Sequence, residues 1–342
     1  MAVKLPTIAE LVDARWFAGK GRAITGAEQD GRLAPEGGEG AAVVFLVVTY
    51  EDGGAERYAL PLRNGHECGG DDPLWTALAR LAGVEAASAR SRFLAEDLSN
   101  TVVAIDDRRV LKLFRLLEEG THPEAEVLEV LAGFAHVPAL EGVVEHDGTT
   151  VAIVEEYVDG TPVGWEDLIG RLAAGEGAIR DAADLGRVAA ALHGRLAAAM
   201  GTRLGDSADV AAERAGARPR ASDSMLVGAE LSHAIDSRLA LFDRLLGARL
   251  QRVHGDLHVA QVLRTERGLV VIDFEGDPSL PLRERSRERS PLVDLASLLL
   301  SLDHAGCAAA QREPSFDWRS WSRAARAACL AGYESEGGAV DR

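Results

Sequence analysis

The chain has 342 residues, 47% of them hydrophobic, and a formal net charge of −17. That length predicts two or three folded units, and so acidic a field argues against nucleic acid or an anionic membrane surface as a partner. Three cysteines (Cys68, Cys307, Cys329), far apart and without a CxxC, argue against a disulfide framework or a structural zinc. The N-terminus, MAVKLPTIAELVDARW, lacks an apolar signal core, and no apolar run reads as a bilayer span, so a cytoplasmic protein is expected.

In chain order, IAELVDARW reads as a short helix, APEGGEG as an exposed loop, and AAVVFLVVTY and ERYALPLR as strands joined through EDGG, a hairpin signal. TVVAI, DDRR and VLKLF form a second hairpin. THPEAEVLEVLAG follows as a helix, with Thr121 as N-cap, Pro123 in the first turn and Gly133 past its end. VVEHDGTTVAIVEEYV gives two strands around Asp147-Gly148. Beyond Asp159-Gly160 the chain turns helical in AADLGRVAAALHGRLAAAM and HAIDSRLALFDRLLGARL. A short strand pair, VLRTERGLVVIDF, interrupts before LVDLASLLLSLDHA and WRSWSRAARAACLAGY. Strands with one helix followed by a mostly helical part predict an α+β layout of two lobes.

The chemistry concentrates in HGDLHVAQ (254–261) and LVVIDFEG (269–276). Phosphoryl transfer needs a group that accepts the proton of the attacking hydroxyl and aims its oxygen, and Asp256 on a tight loop suits this. Gln261, five residues on, and Asp273 at a strand end offer oxygen ligands for magnesium. The order matches a kinase catalytic-loop Asp, an amide five later and a DFG-type Asp, with Gln for Asn and Glu275 as an additional carboxylate. Upstream, alternation in VLKLF puts Val110, Lys112 and Phe114 on one face. An unpaired ammonium among apolar neighbours is costly, so a carboxylate partner is expected, and Glu126 in the next helix is the candidate. Lys112 would then hold nucleotide phosphates. Ser99-Asn100-Thr101 before the hairpin would cover them, and Glu155-Glu156-Tyr157 at the end of the last strand would offer hinge backbone to an adenine.

Together these residues resemble the aminoglycoside-phosphotransferase and maltokinase branch of the protein-kinase-like fold. WFAGKGR (16–22) is similar to the maltokinase cap motif. LSNTVVAIDDRRVLKLFR with HPEAEV is similar to the nucleotide-binding lobe, and HGDLHVAQVLR, DFEGDPSLPLRER and SPLVDLASLLLSLDHA to the catalytic and magnesium segments. The resemblance implies a bilobal kinase-like fold: a cap (1–88), a mixed N-lobe of five strands and one helix (89–159) and a helical C-lobe (160–342). It implies ATP and Mg2+ as cofactors and a sugar as acceptor. Carried over, Asp256 is the base, Gln261 and Asp273 bind magnesium, Lys112 binds phosphates with Glu126 beside it, and Asp294 braces the catalytic loop.

Maltose, giving maltose 1-phosphate, is the first acceptor expected. The 6-hydroxyl of glucosamine, as in actinobacterial glucosamine kinases of similar wording, is the second, and an aminoglycoside the third. Maltokinases continue beyond the AGY region into further helices that help shape the sugar pocket, and an incomplete pocket is one of the alternatives the resemblance leaves open. The resemblance also leaves room for a non-catalytic nucleotide-binding partner of a trehalose synthase or glucan-pathway enzyme. His254 is expected to fix its loop, and His258 and Glu275 to reach substrate. His193 reads as a satisfied core histidine, Lys20 and Arg22 as structural, RERSRER (283–289) as a solvated loop of alternating charge, and Trp318 and Trp321 as core.

Overall fold

The computed structural model describes residues 5–85, 90–94, 99–222, 235–277 and 280–340. The chain forms two compact units, Met1–Pro162 with Leu263–Glu275, and Val163–Val262 with Gly276–Arg342.

The first unit carries two five-stranded sheets. In one, β1 (Ile24–Leu33), β2 (Ala42–Tyr50), β3 (Ala55–Arg63) and β4 (His66–Glu67) follow in order, and β8 (Leu116–Leu117) pairs with β3. The β2–β3 hairpin turns at the predicted EDGG, closing at Thr49 opposite Ala55. Strand β1 was not legible: ITGAEQDGRL is polar and largely exposed, and only its pairing with β2 makes it an edge strand. Helix α1 (Ile8–Asp13) starts at a capping box between Thr7 and Glu10. WFAGKGR contributes packing. Trp16 and Phe17 lie against Tyr58, and Arg22 pairs with Asp52 and Glu56 over the Tyr50 ring.

The second sheet runs β5 (Ser91–Phe93), β6 (Thr101–Ile105), β7 (Arg109–Leu113), β10 (Thr149–Glu156), β9 (Leu140–His146), all antiparallel. Helix α2 (Leu74–Leu81) precedes it, and α3 (Pro123–Val130) follows β8. The N-cap of α3 is His122 rather than Thr121: the His122 Nδ1 accepts the Glu124 N–H at 3.2 Å, and Pro123 takes N1. Arg115 ties the two sheets together. Its buried guanidinium donates to Thr101 Oγ1 (2.8 Å), Glu67 Oε2 (2.6 Å) and the Ala59 carbonyl (3.3 Å), and lies over Trp16. A small sheet of β11 (Thr161–Pro162), β14 (Val262–Thr265) and β15 (Gly268–Val271) completes the unit.

The second unit contains α4 (Trp165–Ala173), α5 (Ile179–Met200), α6 (Ser207–Ser222), α7 (Leu282–Arg285), α8 (Leu292–Arg312) and α9 (Trp318–Ser335). Helices α5 and α9 meet at glycines. A Cβ on Gly186 would stand 1.9 Å from the Cys329 carbonyl oxygen, and one on Gly332 2.1 Å from that of Ala183. HAIDSRLALFDRLLGARL does not continue as one α-helix. Ala240–Leu245 tightens to a 3-10 turn, and Arg249–Leu250 forms β13, paired with β12 (Arg203–Leu204); residues 233–234 lie outside the described residues.

By length and composition, α8 could cross a bilayer, contrary to the sequence reading. Its stripe Asp294, Leu298, Ser301, Leu302 and Ala305 is buried, as in the core helix of a folded domain. Trp321 is buried and donates Nε1–H to the Gly177 carbonyl (2.6 Å). In RERSRER, Arg287 and Arg289 both pair with Glu213, and Glu288 pairs with Arg203.

Candidate active site

Lys112 lies on β7 with its side chain buried. Its Nζ is 2.8 Å from Glu124 Oε2, 2.5 Å from Asp273 Oδ1 and 2.5 Å from Glu275 Oε1. Burial alone would lower the Lys112 pKa; Asp273, Glu124 and Glu275 outweigh it and hold the ammonium well above its ordinary range.

The helix partner is therefore Glu124, and the expectation of Glu126 is corrected. Helix α3 begins at Pro123, so Glu124 shares its inner stripe with Val127, Leu128 and Leu131, all buried. Glu126 sits two positions round, about 200° away, on the stripe of exposed Glu129. Burial pushes the Glu124 carboxyl up to about 7; Lys112 opposes the shift, while Asp273 and Glu275 add to it. Glu124 Oε1 also accepts the Phe274 N–H (3.1 Å), which anchors the DFEG turn to the helix. Asp273 holds φ +68, a left-handed conformation that aspartate tolerates better than most residues.

Three further expectations change here. Glu275 joins the Lys112 cluster rather than standing apart as a substrate contact, because Asn100 fixes it: Asn100 Nδ2 donates to Glu275 Oε1 at 2.5 Å. Asn100 and Thr101, expected over phosphates, have protein partners through their side chains. Asn100 Oδ1 accepts the Arg115 N–H (2.9 Å) and Thr101 Oγ1 the Arg115 Nε–H. Ser99 is exposed. At the strand end, the Glu156 N–H is donated to the Ala139 carbonyl and the Tyr157 N–H to that of Arg108 (2.8 Å), so both donors expected for an adenine already have acceptors. The Glu156 carboxylate is bidentate with Arg267.

Asp256 and Gln261 belong to the second unit. Asp294, fully buried, accepts the backbone N–H of His254 (2.8 Å) and of Gly255 (2.8 Å), and His193 Nε2 stands 3.0 Å from it. Burial acts to raise the Asp294 pKa, but His193, His254 and the Gly255 N–H reverse this and lower it. Tyr333 Oη is 2.8 Å from His193 Nδ1, so a Tyr333 O–H donating there leaves the Nε2 proton for Asp294. The chain Tyr333–His193–Asp294 thus holds the loop that carries Asp256. His193 is a positioning residue, a role its helix of small apolar residues did not signal. Asp256 donates its N–H to His254 Nδ1 (3.3 Å), and its carboxylate lies 3.8 Å from His258 Nε2. His258 Nδ1 accepts the Ala260 N–H, which directs the proton-bearing Nε2 toward Asp256. Gln261 ends the 3-10 turn that follows, its N–H on the His258 carbonyl.

A model of the phosphotransferase enzyme family matches residues 90–336. The chain belongs to that family. The maltokinase N-terminal cap domain matches residues 11–87 ahead of it. The chain is 33% identical over 266 residues to a glucosamine kinase of Streptacidiphilus jiangxiensis, covering 70% of this chain and 60% of that one. It is 30% identical over 235 residues to a glucosamine kinase of Mycolicibacterium smegmatis, covering 62% and 58%. It therefore spans about three fifths of the length of these curated relatives. The solved structure of a glucosamine kinase with glucosamine, ADP and inorganic phosphate superposes with a TM-score of 0.73 at 30% identity, over 90% of this chain and 82% of that one. A second crystal form gives 0.76 at 28%, over 97% and 85%. The fold is protein-kinase-like, α+β, with an N-terminal cap.

Proposed function

We propose that the chain transfers the γ-phosphoryl group of ATP to a sugar hydroxyl, with glucosamine as acceptor and its 6-hydroxyl as the site. The observation that carries this is the buried Lys112 held by Glu124, Asp273 and Glu275 in a chain similar to glucosamine kinases over most of its length. The net charge of −17 suits a cationic amino sugar. Maltose, the acceptor first expected from sequence, is kept as a second reading on the strength of the cap match. The three-part division into cap, N-lobe and C-lobe is part of the same proposal, as is a glucan-pathway enzyme as partner.

In this reading Lys112 neutralises phosphate charge and Glu124 keeps the ammonium aimed. Asp256 accepts the proton of the sugar hydroxyl and orients its oxygen, on a loop that Asp294 and His254 hold still. The Glu124, Asp273 and Glu275 carboxylates bring oxygens within 4.8 Å of one another, a hard-oxygen donor set that suits magnesium. Asp273 would hold the ion, which would supply neutralisation of phosphate charge when bound.

The test is ADP release with ATP and Mg2+ against glucosamine, maltose, glucose and kanamycin, with Asp256→Ala as control and phosphorus NMR to locate the product phosphate. Turnover on glucosamine that the control abolishes supports the proposal. Turnover on maltose alone moves the acceptor. ATP binding without transfer to any sugar refutes catalysis.

A further inference from the structure

The groups assigned to phosphoryl transfer leave the body of the acceptor without a partner. Within the second unit, three rings gather beside the base. Trp165 opens α4, and its indole centroid stands 6.4 Å from the His258 ring, tilted by 35°, and 6.2 Å from the His304 ring, tilted by 32°. His258 in turn faces the Asp256 carboxylate at 3.8 Å. Trp165 precedes Leu168, Ile169 and Leu172 at helical spacing, at the head of the stripe that α4 buries. Those three are buried, whereas Trp165 is half-buried and His304, on α8, is exposed. A core indole usually donates its N–H to a protein acceptor, as Trp75 and Trp321 do here to the carbonyls of Gly69 and Gly177. Among the described residues Trp165 makes no such bond, and neither does the His304 ring. A half-open indole beside a catalytic carboxylate keeps apolar surface in water, a cost that a smaller residue would avoid.

We propose that Trp165 is the platform on which the acceptor sugar lies and, with His304, decides which pyranoses fit. The inference rests on the sugar-kinase reading above. A pyranose carries C–H bonds on its faces and hydroxyls around its rim. The electron-rich face of an indole attracts the slightly positive C–H face, and the His304 nitrogens offer hydrogen bonds to the rim. Only the His258 ring separates the indole from Asp256, so a sugar lying on Trp165 can extend one hydroxyl to the carboxylate. A 2-ammonium group adds cation–π attraction to the same ring. Trp165 determines specificity in this way: it holds the sugar ring and takes no part in proton transfer.

The experiment measures binding of glucosamine and maltose to the chain loaded with a non-hydrolysable ATP analogue, by calorimetry and by saturation-transfer NMR. It also reads KM and kcat in the wild type, Trp165→Phe and Trp165→Leu. In the wild type, saturation should reach the ring protons on one face of the bound sugar more strongly than those on the other. Trp165→Leu, which keeps apolar bulk without an aromatic face, should weaken sugar binding and raise the sugar KM by about tenfold, with ATP affinity unchanged. Trp165→Phe should recover most of that loss. Binding of neither sugar, or even saturation of both faces in the wild type, overturns the inference whether or not any variant folds. So does an equal loss of sugar and ATP affinity in Trp165→Leu, the pattern of a structural role. Sugar binding that depends on Trp165 without ADP release would sink the kinase proposal while sustaining this one. Turnover indifferent to Trp165→Leu would do the reverse.

Discussion

Replacing Glu124 by Gln separates the two acids in the first turn of helix α3. The amide keeps the size of the side chain and an oxygen for the Phe274 N–H, and puts an uncharged NH2 in place of the carboxylate oxygen that accepts from Lys112 at 2.8 Å. Removing one member of a buried ion pair costs about 3–5 kcal/mol when the other is orphaned. Lys112 is not orphaned, since Asp273 and Glu275 each remain at 2.5 Å. One charged hydrogen bond is worth about 1.5–3 kcal/mol, so the stability loss should fall near or below the bottom of that range, about 1–2 kcal/mol. It should be read at pH 8, because Glu124 titrates at about 7 and is largely neutral below that. The effect on function should be larger than on stability. Freed from the helix, the ammonium settles on Asp273 and Glu275, and kcat/KM for ATP should fall by about 10- to 100-fold, equivalent to about 1.4–2.7 kcal/mol of transition-state stabilisation. Glu126→Gln should stay within about twofold, as for a substitution on the outer face of a helix. ADP release with glucosamine, together with calorimetric ATP binding, measures both variants. If Glu126→Gln is as damaging as Glu124→Gln, or Glu124→Gln matches wild type, the pairing is wrong.

Other outcomes follow from the same geometry. Asp256→Asn should lower kcat by about 10³-fold with ATP affinity nearly unchanged, and comparable loss of ATP affinity would show that Asp256 is not the base. Gly186→Ala puts a methyl into the Cys329 carbonyl and should destabilise the second unit by about 1–3 kcal/mol in urea unfolding; an unchanged midpoint would mean that the two helices are not in contact there. Glu124 and Glu155 bind protons more tightly in the folded chain, at about 7 and about 8, than in the unfolded chain. Between about pH 5 and 8 the folded state thus holds protons the unfolded state has released, and stability should fall as pH rises across that window. Urea midpoints of Glu155→Gln measured over the same range should show a shallower fall, and parallel curves for wild type and variant would refute the assignment.

Much of the fold was legible because its signals are local. Alternating apolar strands around EDGG, Asp106-Asp107 and Asp147-Gly148 gave three hairpins in their observed places, and the helices from Ile179, Leu292 and Trp318 follow apolar periodicity. The edge strand Ile24–Leu33 escaped because a polar, exposed segment has no hydrophobic pattern, and its identity comes from hydrogen bonds to β2.

The site divides in the same way. Sequence by itself determined that Lys112 would be buried on a strand face and need a carboxylate, and it singled out Asp256, Gln261, Asp273 and Asp294 from spacing and resemblance. Which carboxylate answers Lys112 depended on a one-residue matter, the helix starting at Pro123 under a His122 cap, which turns Glu124 inward and Glu126 outward. Tertiary structure alone turned Asn100 to Glu275, set Arg115 between the two sheets, and joined Tyr333 to His193 across 140 residues. These are contacts between side chains far apart in sequence, and the local periodicity that betrays a helix or a strand says nothing about which distant group a buried polar atom will meet.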